Sequence, residues 1–161
     1  MSRVAVSDAS PLILLSRAGY LDFLELVDPP VQVPAAVAEE IRQKGERDIT
    51  VEALKNDSRL VVVEAPPLLP EIRRRDLGAG ESAVLAVAQK LQDAIALVDD
   101  LAARRCAEDL GIRVVGTAGL VLGAKRKGLI EEARTVFERL KAHGMYLSPK
   151  TLEGLLRRVG E

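Results

Sequence analysis

Residues 94–100 read Ala-Ile-Ala-Leu-Val-Asp-Asp, and residues 3–8 read Arg-Val-Ala-Val-Ser-Asp. Each is a short apolar run that stops at an acid. Runs without polar alternation suit strands covered on both faces, as in a parallel sheet. In open α/β sheets, ligands bind beyond the carboxyl ends of the strands. Two parallel strands ending at Asp8 and at Asp99-Asp100 would therefore place these acids on one edge of the sheet.

Outward from these runs, strands alternate with helices. Ser10-Pro11 predicts a helix start, with Ser10 as N-cap and Pro11 in the first helical position, and Gly19 ends it. Tyr20 to Val27 predicts a short second helix, broken by Asp28-Pro29-Pro30. A strand is expected from Val31 to Val33, a helix from Pro34 to Gly45, a helix from Asp48 to Asp57 and a strand from Leu60 to Glu64. Ala65 to Arg75, with three prolines, reads as a loop. A strongly apolar helix is expected from Glu81 to Leu91. The helix after Asp100 runs to Leu110, capped by Gly111, and Arg113 to Val115 is the last strand. Helices close the chain at Thr117 to Lys127, Glu131 to His143 and Pro149 to Val159. This order predicts an α/β fold, a three-layer α/β/α arrangement around a mainly parallel sheet. At roughly 100–200 residues per domain, one domain spanning 1–161 is expected, with a core over 1–143 and a helical extension over 144–161.

Composition narrows the function. Hydrophobic residues are 48% of the chain, enough for a full core. Lys plus Arg is 23 against 24 for Asp plus Glu, which excludes a polybasic binder working by bulk charge. Aromatics are 2% with no Trp, and base-stacking platforms need exposed aromatic faces, which argues against a reader of the RRM or OB type. One Cys excludes a disulfide framework and a Cys-rich zinc site, and one His excludes a His-rich metal site. Any metal would be held by carboxylates, which suits Mg²⁺ or Mn²⁺. No stretch approaches the ~20 apolar residues of a membrane span, so no membrane contact and a cytoplasmic location are expected.

Two further acids stand out by helical phase. Val33, Val37 and Ile41 mark the inner face of the helix from Pro34. Glu39 then points to solvent, while Glu40 lies on the flank and can border a buried site. Glu81 is three residues before Val84 and four before Leu85, which puts its carboxylate on the apolar stripe. An unpaired buried carboxylate costs several kcal/mol or takes up a proton. The helix dipole returns only ~0.3–1 kcal/mol. A divalent cation would compensate Asp8, Glu40, Glu81 and Asp99 or Asp100 together, and can activate a water and orient a phosphodiester.

Several residues carry two readings. Ser10 is a helix cap or a hydroxyl beside the site. Arg104 is an ion-pair partner of Asp100 one turn away, or a phosphate contact. Thr117 is expected to cap its helix. Arg73, Arg74, Arg75 and Lys125, Arg126, Lys127 are candidate RNA contacts or plain solvated charge. Cys106 shares a stripe with Ala103, Ala107 and Leu110 and reads as core. His143, before Gly144, reads as a helix-end residue. Gly78-Ala79-Gly80 lacks the third glycine of a dinucleotide fingerprint and the Lys of a P-loop, so it reads as a tight entry to the Glu81 helix.

Taken in order, residues 6–13, 33–41, 77–83, 98–104 and 115–122 resemble the PIN domain, and most closely its compact prokaryotic branch. The resemblance spans nearly the whole chain. It implies a parallel-sheet α/β/α fold and a metal-dependent ribonuclease site using Mg²⁺ or Mn²⁺. The family's first Asp matches Asp8, with the following hydroxyl at Ser10, and its helix Glu matches Glu40. The third acid, usually Asp, is Glu81 here. The fourth usually follows a Thr-x-Asp pattern, whereas this chain reads Val98-Asp99-Asp100, and a gap-free match selects Asp100. Many small prokaryotic members are toxins restrained by an antitoxin, so the resemblance implies that role and that partner beside the RNA substrate. It also implies a homodimer, for which Leu152, Leu155, Leu156 and Val159 are either the contact or plain core.

Two other classes compete. A receiver-like phosphoacceptor places an acid pair early and a lone Asp mid-chain, whereas this chain has one early Asp and a late pair. A PIN-like binding module with a degraded metal site is the non-enzymatic alternative, motivated by the missing Thr-x-Asp pattern.

Overall fold

The computed structural model describes residues 3–161; residues 1 and 2, where the expected domain begins, lie outside the described residues. Five strands form the sheet: β1 (Ala5–Ser7), β2 (Val31–Pro34), β3 (Leu60–Val63), β4 (Ile95–Leu97) and β5 (Arg113–Val115). Their order is β3-β2-β1-β4-β5, and every pairing is parallel. Nine α-helices are described: α1 (Ala9–Ala18), α2 (Ala35–Arg42), α3 (Ile49–Asn56), α4 (Pro70–Arg73), α5 (Ala79–Lys90), α6 (Leu101–Asp109), α7 (Thr117–Arg126), α8 (Ala133–Ala142) and α9 (Pro149–Arg157). Leu21–Val27 is a 3-10 helix. The helices flank the sheet in three α/β/α layers. One group packs α1, α3, α7 and α8 together, the other α4, α5 and α6, and α2 touches both.

The chain steps from β1 to β2 on one side and places β4 on the other. The strand order therefore reverses between β1 and β4. Loops leave such a switch point in opposite directions and open a crevice at the carboxyl ends. β1 and β4 pair through Ala5–Ile95, Val6–Ala96 and Ser7–Leu97, so Asp8 and Asp99 emerge beside each other at that crevice.

Several boundaries differ from the sequence reading for local reasons. α1 begins at Ala9 with Asp8, not Ser10, in the cap position, and Asp8 backbone is extended (φ −76°, ψ 172°). Pro11 still fits, because first-turn N–H groups have no intrahelical partner. Pro34 ends β2 and precedes α2 instead of opening it. α2 stops at Arg42, where tight turns lead to Gly45 at φ +106°. The expected Ala65–Arg75 loop contains the single turn α4, pinned by the fully buried Ile72. α5 starts at Ala79 with Gly78 as cap, so Gly80 is helical and not part of an entry turn.

α9 is amphipathic, with Leu152 and Leu156 buried and Leu155 and Val159 packed against the same core as the sheet. Glu161 folds back to accept from the N–H groups of Ala133 and Arg134 at the start of α8, at 2.5 and 3.1 Å. That satisfies two donors a helix start leaves open. Leu156→Ala would leave a cavity at a fully buried position. We expect a loss of about 2–5 kcal/mol by urea denaturation; a loss under 1 kcal/mol would show that α9 is not integral to the core. Among the described residues, no helix is long and apolar enough to cross a membrane.

Candidate active site

Asp8 is 6% exposed, at the carboxyl end of β1. Its backbone N–H donates to the Leu97 carbonyl at 3.0 Å, continuing the β1–β4 ladder and fixing the residue at the crevice floor. Burial pushes its carboxyl up to about 7; the Ala9 backbone N–H opposes this, and Glu81, Glu40 and Asp99 add to it as nearby negative charges. Among the described residues no Lys or Arg nitrogen comes within ion-pair distance of Asp8, Glu40, Glu81, Asp99 or Asp100.

Asp99 and Asp100 separate cleanly. Asp100 is exposed and caps α6, its carboxylate accepting from Ala103 N–H at 3.0 Å. Asp99 turns inward. The β4–β5 register pairs Leu97 with Val115, so two residues on, Asp99 lies level with Thr117. Thr117 N–H donates to Asp99 Oδ1 and Thr117 Oγ1 to Asp99 Oδ2, both at 2.7 Å. Ser10 Oγ adds a longer bond to Oδ2 at 3.3 Å. The inward acid is thus the one before the position that the gap-free family match selects.

Thr117 was expected to cap α7. Gly116 holds that position instead, and the fully buried Thr117 hydroxyl orients Asp99. Thr117→Val keeps the shape and removes the donor. Hydrogen bonds to charged groups contribute about 1.5–3 kcal/mol, so Thr117→Val is expected to destabilise by that amount at pH 7 and Thr117→Ser by much less. Equal unfolding midpoints for the two variants would contradict this role.

Glycines give the acids their room. A Cβ on Gly80 would lie 3.0 Å from Asp8 Oδ1 and 3.2 Å from Glu40 Oε2. The first turn of α5 therefore sits directly against the two carboxylates. A Cβ on Gly116 would lie 2.6 Å from Arg104 Nη1 and 3.0 Å from Asp99 Oδ1. Glu81 folds back toward Gly78 on its own helix, half-buried at the same crevice. A family model described as a PIN domain matches residues 4–161. The chain belongs to the PIN domain family. No curated protein matches it in a whole-sequence search. PIN domains are generally nucleases that use divalent metals, so this chain has a nuclease-like fold.

The donor set of this PIN domain fits a hard dication. It is all oxygen, no Lys or Arg among the described residues stands within ion-pair distance of it, and Asp8 is buried where its charge needs a partner. Among the described residues no three candidate ligands stand close enough together to hold an ion as they are.

Two adjoining cavities open over the acids and share Asp8, Ser10, Leu14 and Glu81. The larger, about 480 Å³, also takes Asp99, Asp100, Arg104 and the 144–147 segment. The other, about 250 Å³, takes Glu40 and Lys44. Arg104 does not pair with Asp100, as the helical spacing had suggested, because Asp100 is turned to the α6 N–H groups. Its guanidinium lies across Gly116 instead.

The other basic candidates lie elsewhere. Arg75 pairs with Asp109, and Arg74 and Arg75 line a separate depression with Cys106. Lys125 bonds the Glu131 carbonyl and pairs with Glu161 at 3.3 Å. Arg126 and Lys127 follow it at the far end of α7, about 13 Å along the helix from Thr117. Cys106 is buried, which pushes its thiol up, away from nucleophile chemistry. His143 ends α8, outside both cavities. Sequence reasoning missed Lys44, Thr117 and Tyr146. Only Thr117 had a signal, since it follows a strand end as Asp8 and Asp99 do.

Proposed function

We propose that this PIN domain is a divalent-metal-dependent endoribonuclease that hydrolyses RNA phosphodiesters. The observation that carries the reading is the buried Asp8 carboxylate, facing Glu40, Glu81 and Asp99 with no cation paired to it among the described residues. Asp8, Glu81 and Asp99 would hold Mg²⁺ or Mn²⁺, with Asp100 at the rim, and Glu40 would complete the cluster. When bound, the cation offsets the carboxylate repulsion, polarises a phosphate and acidifies a water for in-line attack.

The chain's own residues do the rest. Thr117 and Ser10 fix the orientation of Asp99. Glu40, exposed and lining the cavity beside Asp8, would accept at its carboxylate the proton released by the attacking water. Arg104 in one cavity and Lys44 in the other flank the acids, so a strand crossing Asp8 meets a cation on each side. With a formal net charge of −1, affinity for RNA must come from such a local rim.

The toxin role, the antitoxin partner, the homodimer and the cytoplasmic location belong to the proposal as well. The first three rest on the family resemblance alone. A small co-transcribed neighbouring gene supports the toxin role, and an isolated gene counts against it.

The test is cleavage of a mixed single-stranded RNA pool with Mn²⁺, with Mg²⁺ and with chelator, beside Asp8→Asn purified identically. Cutting that needs the cation and is lost in the variant is expected. Equal cutting by both proteins points to a contaminant. A second reading, a binding module on a degraded site, is favoured by the separation of the acids in the structure. It predicts RNA binding with no cutting under any cation.

A further inference from the structure

Tyr146 is 88% exposed, and it lines the larger cavity beside Asp8, Glu81, Asp99 and Arg104. The chain's other tyrosine, Tyr20, is used internally: it stacks on Phe23 at 5.1 Å between ring centroids and lies under Arg139. Tyr146 stands in the short segment between α8 and α9. Its neighbours Met145 and Leu147 are half-buried and packed against the core. The two anchors hold the backbone down on either side, so the ring is presented outward at the cleft rim and not left on a free loop. An aromatic side chain carries a large apolar face, and this one is left in water with an acid cluster and a guanidinium beside it.

A single nucleic-acid strand offers an anionic phosphate and an uncovered base π-face in alternation. The cleft offers Arg104 for the first and the Tyr146 ring for the second, within a volume of about 480 Å³, inside the roughly 300–1,000 Å³ of small-ligand sites. We infer that Tyr146 stacks an unpaired base adjacent to the phosphodiester held at the acids, and so selects single-stranded over duplex RNA. In a duplex both faces of each base are covered by neighbours, so the ring has nothing to stack on. The composition argues against a reader of the RRM or OB type, and one ring is not such a reader; it is a single subsite. The inference rests on the nuclease reading, and its test separates the two.

Tyr20→Phe leaves Tyr146 as the only tyrosine in a chain without Trp, so its emission reports on that ring. This variant is titrated in Mn²⁺ with a ten-residue 2′-O-methyl phosphorothioate oligonucleotide, single-stranded and then as a duplex. Binding of the single strand is expected to quench the emission, and the duplex is expected not to. In the otherwise native chain, Tyr146→Ala is expected to weaken single-strand binding about tenfold, within the roughly 5- to 150-fold that one stacked base supplies. Tyr146→Phe is expected to bind as the native chain does. Saturable binding without quenching, or equal affinity of Tyr146→Ala, overturns the inference and leaves a protein partner as the reason for the exposed ring. Tyr146-dependent binding with no RNA cutting keeps the stacking and removes the nuclease. Cutting with an unchanged KM in Tyr146→Ala does the reverse, and no binding together with no cutting of the RNA pool removes both.

Discussion

Asp8→Asn is expected to stabilise the cation-free protein at neutral pH while abolishing cation-dependent cleavage. The two effects share one cause. Asp8 is buried against three other acids, and its carboxyl is pushed up from 3.8 to about 7. The folded state thus binds a proton that the unfolded state releases at lower pH. The sign follows from linkage: a group with a raised folded pKa contributes stability below its unfolded value, and that stability is lost as pH rises through the folded value. In chelator, native stability should fall between about pH 4 and pH 7 by roughly 4 kcal/mol. Asn has nearly the shape of Asp and no charge to desolvate, so the variant's profile should be flatter over that window. Urea unfolding at several pH values reads both. Parallel profiles for the two proteins would mean that Asp8 is not the strained acid. Cleavage by Asp8→Asn equal to that of the native chain would point to a contaminating nuclease and leave this site without an activity.

Gly80→Ala is the second large effect, and it discriminates between fold and site. In a helix interior, Ala is favoured over Gly by roughly 0.5–1 kcal/mol. Here the added methyl would press against Asp8 Oδ1 at 3.0 Å and Glu40 Oε2 at 3.2 Å. Glu40 is exposed and can yield, whereas Asp8 is held at the end of β1. The fold should survive with little change in unfolding midpoint. Cation affinity and cleavage should fall at least tenfold, because the methyl occupies the space between two of the acids. Calorimetry with Mn²⁺ and thermal unfolding on the same sample separate the outcomes. Unchanged affinity would show that Glu40 and Asp8 do not act on one ion.

The sequence was most readable where the chain has least freedom. The short runs ending at Asp8 and at Asp99 are too brief to tell strand from helix by period alone, and it is their place between helical segments that makes them read as strands buried on both faces. Their alternation with helices predicts a mainly parallel sheet, whereas the strand order and its reversal between β1 and β4 come from the structure alone. Helical phase separates Glu40, which reaches the Gly80 side of Asp8, from Glu39, but it overstates the burial of Glu81, which is half-buried with its carboxylate turned back toward Gly78. Local chemistry was less decisive. Ser10-Pro11 carries a strong cap signal, yet the extended backbone at Asp8 starts the helix two residues earlier, and the Ser10 hydroxyl is left to reach Asp99. Asp99 and Asp100 could not be told apart by type, because the choice lies in the β4–β5 register that sets Thr117 opposite the first. Arg104 has the spacing of an ion pair with Asp100, but a capping carboxylate is already engaged by its own helix. Tyr146 had no signal, since only the return of the chain after α8 brings residues 144–147 over the acids.

The function of this site depends on whether these carboxylates share a divalent cation. The direct measurement is calorimetric titration of the chelator-treated protein with Mn²⁺ and then Mg²⁺ at pH 7 and at pH 8. Saturable binding is predicted, with more proton release at pH 7 than at pH 8 as Asp8 gives up its proton. Binding should be abolished in Asp8→Asn and weakened in Glu81→Gln and Asp99→Asn. Absence of binding by the native chain, or equal binding by Asp8→Asn, would contradict the account.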